Sequence, residues 1–347
     1  MHPEQRIKAF SELGEIIRNV LSGKDRSLSG DAIRMITSQE SRNEWFTPDN
    51  VRLALGAIAD ELTAENLKRW TDKYPGLQAV EKPLNIGVVM AGNIPLAGFH
   101  DFLCVLISGH RIIARTSSKD PDIMGWIADL LVSLEPSFSD RIVFRNDRLA
   151  DFDAVIATGS DNTSRYFEYY FGKYPNIIRR NRNSVAIIDG NEKESDLAAM
   201  GEDIFSYFGL GCRNISKIYI PEDYDPDFLS SHWRDYSNII SHRKYANNYD
   251  FNKAVYIVNR EPFKDTGYLL MKESTAISSP VSVLFYERYR SEEDVISVIT
   301  DQKDKIQCIT GTGFTDHGKA QRPHLWDYAD GIDTIEFLLK IKAPGIM

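Results

Sequence analysis

The chain is poor in cysteine: three residues, Cys104, Cys212 and Cys308, in 347. They are too scattered for a disulfide framework, and no two stand at a metal-ligand spacing such as Cys-x-x-Cys. Neither a disulfide-stapled scaffold nor a metal site is expected, and a reducing cytoplasm is the expected compartment. Long apolar runs are also missing. The most apolar stretch, Phe102 to Ser108, is too short to span a bilayer, so no stable membrane insertion is expected. Glu4, Glu12 and Glu15 break the apolar positions of the N-terminus, which therefore lacks a signal-peptide pattern. There is no excess of positive charge: 41 basic against 50 acidic residues leave a formal charge of -9, which argues against a nucleic-acid partner. No internal repeat or low-complexity segment occurs. Neither a Gly-x-Gly-x-x-Gly fingerprint nor a Walker-type loop is present, so an ordinary dinucleotide or ATP site is not indicated.

What is present is enough apolar sequence to bury a large core, at a length that suggests two domains or one domain with a substantial elaboration. Ile7, Phe10, Leu13, Ile17 and Val20 recur at helical spacing, and Thr47-Pro48-Asp49 reads as a cap and first turn before Val51, Leu55, Ile58 and Leu62. Residues 1–80 are expected to form an N-terminal helical segment. From Pro83 short apolar runs alternate with helical patterns: Ile86–Met90, Arg111–Ala114, Arg141–Phe144 and Asp153–Ala157. Such alternation predicts βαβ units around a mostly parallel sheet, here an α/β domain over 81–183. A second strand series, Val185–Ile188, Ile218–Ile220, Val255–Val258, Val281–Phe285 and Ile306–Ile309, predicts another α/β domain over 184–320, with a tail over 321–347. The polar, basic run Arg179-Arg180-Asn181-Arg182-Asn183 is the expected boundary.

Four segments could carry chemistry. The first strand runs into Ala91-Gly92-Asn93-Ile94-Pro95-Leu96, where Asn93 could offer its amide to an oxyanion or simply bond its own turn. The second ends in Arg115-Thr116-Ser117-Ser118-Lys119-Asp120-Pro121, cations and hydroxyls that suit phosphate and ribose, or a solvated helix start. The strand ending at Ala157 leads into Thr158-Gly159-Ser160, a turn that can offer N–H groups and a hydroxyl to a pyrophosphate. Finally, Cys212 stands behind Gly209 and Gly211 at the end of the helix whose stripe is Leu197, Met200, Ile204, Phe205 and Phe208. The glycines allow a sharp turn and close approach, which makes Cys212 a candidate nucleophile; the other reading is a small buried hydrophobe. Cys104, in an apolar run, and Cys308, in a strand, read as core. His100 and His110 read as structural.

In order and spacing these segments resemble the aldehyde dehydrogenase superfamily, and within it the LuxC-like acyl-CoA reductases. Asn93-Ile94-Pro95-Leu96 is similar to that superfamily's Asn-Phe-Pro-Leu, and Arg115 to Pro121 to its Lys-Pro-Ser-Glu-x-Thr-Pro. Thr158-Gly159-Ser160 matches its Thr-Gly-Ser, and Gly209-Leu210-Gly211-Cys212 its Gly-Gln-x-Cys; Ile277 to Val281 is a weaker echo of Ile-Phe-Gly-Pro-Val. The resemblance implies two Rossmann-like α/β domains of aldehyde-dehydrogenase type behind an N-terminal helical segment. It implies Cys212 as nucleophile, and the Asn93 side chain with the Cys212 N–H as oxyanion hole. The implied cofactor-binding residues are Arg115, Ser117, Ser118, Lys119, Thr158, Gly159 and Ser160.

The departures from the pattern carry information. Ile178 to Ser184 stands where hydrolysing members carry Glu-Leu-Gly-Gly-Lys-Asn-Pro, so the water-activating glutamate is missing, which suits a reductase. Ser118 and Lys119 replace the ribose-binding glutamate, which favours NADPH over NADH, with NADH still open. Ala276 stands where a second ribose-contacting glutamate is expected. The implied reaction is NADPH-dependent reduction of a long-chain acyl-CoA to the aldehyde through an acyl-cysteine, in a homodimer or larger homo-oligomer, with the acyl length and any acyl-transfer partner unread. The alternatives are reduction of an acyl phosphate, a small acyl-CoA or an acyl carrier protein, oxidation of a semialdehyde, or an inactive cofactor-binding or assembly module.

Overall fold

A computed structural model describes residues 1–24, 26–78, 82–120, 122–159 and 161–341. Its contacts divide the chain into two units, Met1–Arg180 with His324–Met347, and Asn181–Pro323.

The first unit opens with four helices, α1 (Pro3–Leu21), α2 (Arg26–Arg42), α3 (Pro48–Glu61) and α4 (Ala64–Thr71). Thr47 and Thr63 start α3 and α4 by accepting the N–H groups of Asn50 and Asn66, which would otherwise lack a partner in the first turn. The α1 stripe Phe10, Leu13, Ile17 is fully buried. This bundle is part of the unit, because α1 packs on helices α5 (Phe99–Ile107) and α6 (Ile123–Leu134). Strands β1 (Asn85–Val89), β2 (Arg111–Arg115), β3 (Ile142–Phe144), β4 (Ala154–Thr158) and β5 (Asn176–Arg179), with helix α7 (Asp161–Phe171), complete the α/β part. The sheet is parallel throughout, in the order β3-β2-β1-β4-β5. Its central strands are apolar because helices cover both faces. The residues after Pro323 belong to this unit rather than to a separate tail. Buried Arg179 donates to the Asp101 carboxylate (2.7 Å), the Thr334 hydroxyl (2.9 Å) and the Ala329 carbonyl (2.6 Å), tying the closing helix Thr334–Lys340 to α5.

The second unit contains β6 (Asn183–Ile187), α8 (Glu194–Phe205), β7 (Ile215–Pro221), α9 (Pro226–Ser231), α10 (Arg243–Asn259), β8 (Lys264–Asp265), β9 (Leu270–Glu273), β10 (Val283–Tyr289), α11 (Glu292–Asp301) and β11 (Ile306–Thr310). The sheet order is β11-β6-β7-β10-β9-β8, parallel except for the β8–β9 pair. Leu197, Met200, Ile204 and Phe205 of α8 pack on one face with Ile218 and Ile220, while Val295 and Ile299 of α11 cover the other with Val185 and Tyr219.

The two units bear out the expected α/β class, with corrections at the level of elements. Val255–Val258 is not a strand: it is the last turn of α10, whose buried positions Tyr245, Tyr249, Asn252 and Tyr256 follow helical spacing while Ile257 and Val258 are exposed. A run of β-branched residues mimics a strand when both sides of a helix are apolar. Val281 and Ser282 stand outside β10, because Ser282 takes a left-handed conformation (φ 65°) before the strand begins. Among the described residues no helix is long and apolar enough to cross a membrane.

Candidate active site

In the first unit the chain winds outward from β1 through β2 to β3, then returns to the other side of β1 as β4 and β5. The switch between β1 and β4 is where open α/β sheets bind ligands, beyond their carboxyl ends. Register makes those ends flush: Val89 pairs with Arg115 on one side and with Ala157 on the other. One edge of the sheet therefore carries the Asn93 turn, the 115–120 loop and the Thr158-Gly159 turn; Ser160 and Pro121 lie outside the described residues. Asn93, Arg115, Ser118 and Lys119 are exposed, and Ser117, Thr158 and Gly159 half-buried. The Ser117 hydroxyl is partly committed to the loop itself, accepting the Lys119 N–H at 3.2 Å.

Close packing explains the small residues here. A Cβ on Gly92 would fall on Ser117, one on Gly98 on the Met90 side chain, and one on Gly159 at 2.8 Å from the Phe167 ring. Leu96, a buried leucine, takes φ 60°, a left-handed conformation that costs of order 1 kcal/mol outside glycine. Its N–H is held by the carboxylate of Asp120 at 2.9 Å. Cradles that only glycine fits, exposed cations beside them and a doubly wound switch point together suit a dinucleotide. Among the described residues no cluster could hold a metal ion.

In the second unit Cys212 is exposed, whereas Cys104 and Cys308 are buried, so the thiol behind the glycines is not a core side chain. Burial also pushes the Cys104 thiol well above the usual range, which disfavours its thiolate. The Cys212 loop begins where α8 ends. Three consecutive residues, Tyr207 (φ 52°), Phe208 (φ 59°) and Gly209 (φ 75°), are left-handed, reversing the chain abruptly.

Asn214, almost fully buried, holds that reversal. Its amide donates to the carbonyls of Ser206 (2.8 Å) and Asp203 (3.0 Å), its oxygen accepts the Gly211 N–H (2.7 Å), and its own N–H closes the turn on the Gly211 carbonyl (3.0 Å). The Ser184 hydroxyl donates to the Cys212 carbonyl at 2.9 Å, pinning the turn to the amino end of β6. Below it, the Phe208 ring lies 4.2 Å from that of His242. A small pocket of about 40 Å³ lies beside the loop, between Phe208, Gly209 and Gly211 on one side and Ser279 to Val283 on the other.

Two buried charged side chains flank this loop in the chain and tie α8 and β7 to other segments. Asp203, fully buried, accepts the N–H groups of Gly318 (2.7 Å) and Ala320 (2.9 Å), and burial raises its pKa to about 7. Lys217 of β7 pairs with Glu287 and donates to the Thr275 carbonyl (3.0 Å), while Ser216 donates to that of Ile277 (2.8 Å). Exposed Ala276 is held between these anchors. Arg213 reaches the Ala320 carbonyl at 3.5 Å.

Asn214, Ser184, Asp203, Lys217 and Asp120 escaped sequence reasoning. Ser184, Asp203, Lys217 and Asp120 work through groups remote in the chain, and Asn214 through backbone groups of the turn before it; the only local signal was a polar residue where the pattern expects an apolar one. His100 and His110 are structural: each has a ring nitrogen at a carbonyl, that of Leu325 (2.8 Å) or Leu338 (3.2 Å). The segment expected to carry a water-activating glutamate is occupied otherwise. Arg179 is buried on Asp101, Arg180 pairs with Glu168, and Arg182 donates to the carbonyls of Lys303 and Ile306.

No protein-family model matches the chain. It is 27% identical over 215 residues to the long-chain acyl-protein thioester reductase of Aliivibrio fischeri, covering 55% of this chain and 43% of that protein. It is 24% identical over 192 residues to long-chain acyl-protein thioester reductase 2 of Photobacterium leiognathi, covering 50% and 40%. The chain thus spans less than half the length of these curated relatives. Among solved structures, aldehyde dehydrogenase 21 of Physcomitrella patens superposes with a TM-score of 0.62 at 12% identity over 86% of this chain and 70% of that one. A Mycobacterium tuberculosis aldehyde dehydrogenase complexed with NAD+ gives 0.61 at 14% identity over 87% and 71%. The fold is that of the aldehyde dehydrogenases, and the chain is similar to the LuxC-like reductases.

Proposed function

We propose that the chain reduces a long-chain acyl thioester to the aldehyde through an acyl group carried on Cys212. The observation that supports this most is the exposed thiol at the crest of a braced, left-handed turn, the one cysteine of three not buried, in a chain similar to thioester reductases. The Cys212 thiolate attacks the carbonyl carbon of the thioester, the bond to the donor sulfur breaks, and that sulfur leaves as a thiolate. Asn93 donates to the oxyanion that forms, together with the Cys212 N–H. Without a glutamate at position 178 the acyl-cysteine has no general base to hand it to water. A reduced nicotinamide dinucleotide, when bound, supplies the hydride that converts the acyl group to the aldehyde and returns the thiolate. Thr158 and Gly159 would hold its pyrophosphate, and Arg115, Ser117, Ser118 and Lys119 its adenosine end. With Arg115 and Lys119 exposed and the loop's one carboxylate, Asp120, buried, NADPH is preferred to NADH. Lys119→Glu should shift that preference toward NADH, read as the ratio of the two dissociation constants.

Acyl-CoA is the donor first in view; the names of the curated relatives favour an acyl protein as the second. Brief exposure to hexadecanoyl-CoA without reductant, followed by mass spectrometry, should place an acyl group on residue 212. Cys212→Ala should abolish turnover, and Asn93→Ala should lower it roughly a hundredfold to a thousandfold, the usual worth of one oxyanion donor. Reductase activity that survives in C212A overturns the mechanism.

A further inference from the structure

Asp120 has no part in the reading above, yet it is buried (3% exposed) and its environment is unusual. It belongs to the 115–120 loop, but one carboxylate oxygen reaches the other turn and accepts the N–H of Leu96 at 2.9 Å. Its second oxygen, Oδ1, is buried without a hydrogen-bond partner among the described residues. A carboxylate in that position is costly, and burial raises its pKa to about 6. Helix capping does not account for it, because the N-cap position of α6 is Asp122, two residues on. What the carboxylate adds is the bond to Leu96, the residue held left-handed three positions after Asn93. Gly92, immediately before Asn93, packs against Ser117 of the same loop. Asn93 thus sits between two anchor points, both on the 115–120 loop.

We infer that Asp120 is a positioning residue for the Asn93 turn: by accepting the Leu96 N–H it holds that strained turn in the conformation from which Asn93 meets the oxyanion, so the cofactor loop and the oxyanion donor are set as one piece. This rests on the acyl-cysteine mechanism proposed above. Asparagine at 120 keeps an acceptor for Leu96; alanine does not.

The test compares the full-length wild type, Asp120→Ala and Asp120→Asn, following acylation of Cys212 by hexadecanoyl-CoA with rapid quenching and mass spectrometry. Alkylation by iodoacetamide, a displacement that forms no oxyanion, is measured in parallel. Expected are a fall of at least tenfold in the maximal acylation rate of D120A, a half-saturating acyl-CoA concentration within twofold of wild type, and unchanged alkylation. D120N should acylate within about threefold of wild type. If D120A does not fold, Asp120→Ser takes its place, since its hydroxyl falls short of Leu96. Acylation as fast in D120A as in wild type, or acylation and alkylation slowed equally, overturns the proposal while leaving the mechanism standing. A wild-type chain that takes no acyl group overturns the mechanism, and this inference with it.

Discussion

Asp203 and Cys212 stand nine positions apart, and burial treats them oppositely. Cys212 is exposed, while the Asp203 carboxylate, which accepts the N–H groups of Gly318 and Ala320, is sealed in and favours its proton, burial pushing its pKa up to about 7. The folded state therefore binds this proton more tightly than the unfolded chain does. Its contribution to stability is complete below about pH 4 and is lost as the pH rises through 7, at up to about 1.4 kcal/mol per pH unit in between. Chemical denaturation of wild type and Asp203→Asn at pH 5 and pH 7 should show a smaller loss of stability in the variant. An equal loss would mean that other groups set the pH dependence.

At the scale of elements, the loop between α8 and β7 depends on one side chain. Asn214 bonds the Gly211 N–H and the carbonyls of Asp203 and Ser206, buried or half-buried groups that would each lose this bond in alanine, the Asp203 carbonyl keeping only Gln321 at 3.4 Å among its side-chain donors. Asn214→Ala should cost about 2–4 kcal/mol in urea denaturation and slow acylation of Cys212, followed by rapid quenching and mass spectrometry, because a left-handed run of three residues does not hold itself. The helix before this loop was legible as a stripe, Leu197, Met200, Ile204, Phe205, since its period follows from burial of one face. The staple was not, because an asparagine two residues past a cysteine reads locally as any turn residue. Val255–Val258 went wrong for a related reason: four apolar residues in succession carry no period, and only the packing of Tyr249, Asn252 and Tyr256 under α10 makes the segment helical.

Across the first unit, the buried pair Arg179–Asp101 joins the end of β5, the helix after the Asn93 turn and the closing helix. Removing one partner leaves a buried charge alone, so Arg179→Met should destabilise by about 3–5 kcal/mol, and adding Asp101→Leu should recover part of that loss. Urea denaturation of the two variants checks it, and a double variant no more stable than the single would refute the pairing argument. The same residues read in the sequence as a solvated basic boundary; only closure of residues far apart in the chain turned Arg179 inward.

The sequence by itself determined the alternation of strands and helices, the run of polar turns at strand ends and which cysteine follows glycine, because periodicity and turn chemistry act over a few residues. Tertiary structure alone decided that Cys212 is exposed while Cys104 and Cys308 are not, that Asp120 grips Leu96, that Asp203 grips Gly318 and Ala320, and that Asn214 holds the Cys212 loop. Those outcomes depend on which backbone groups arrive beside a side chain from distant parts of the chain, and on the water they displace.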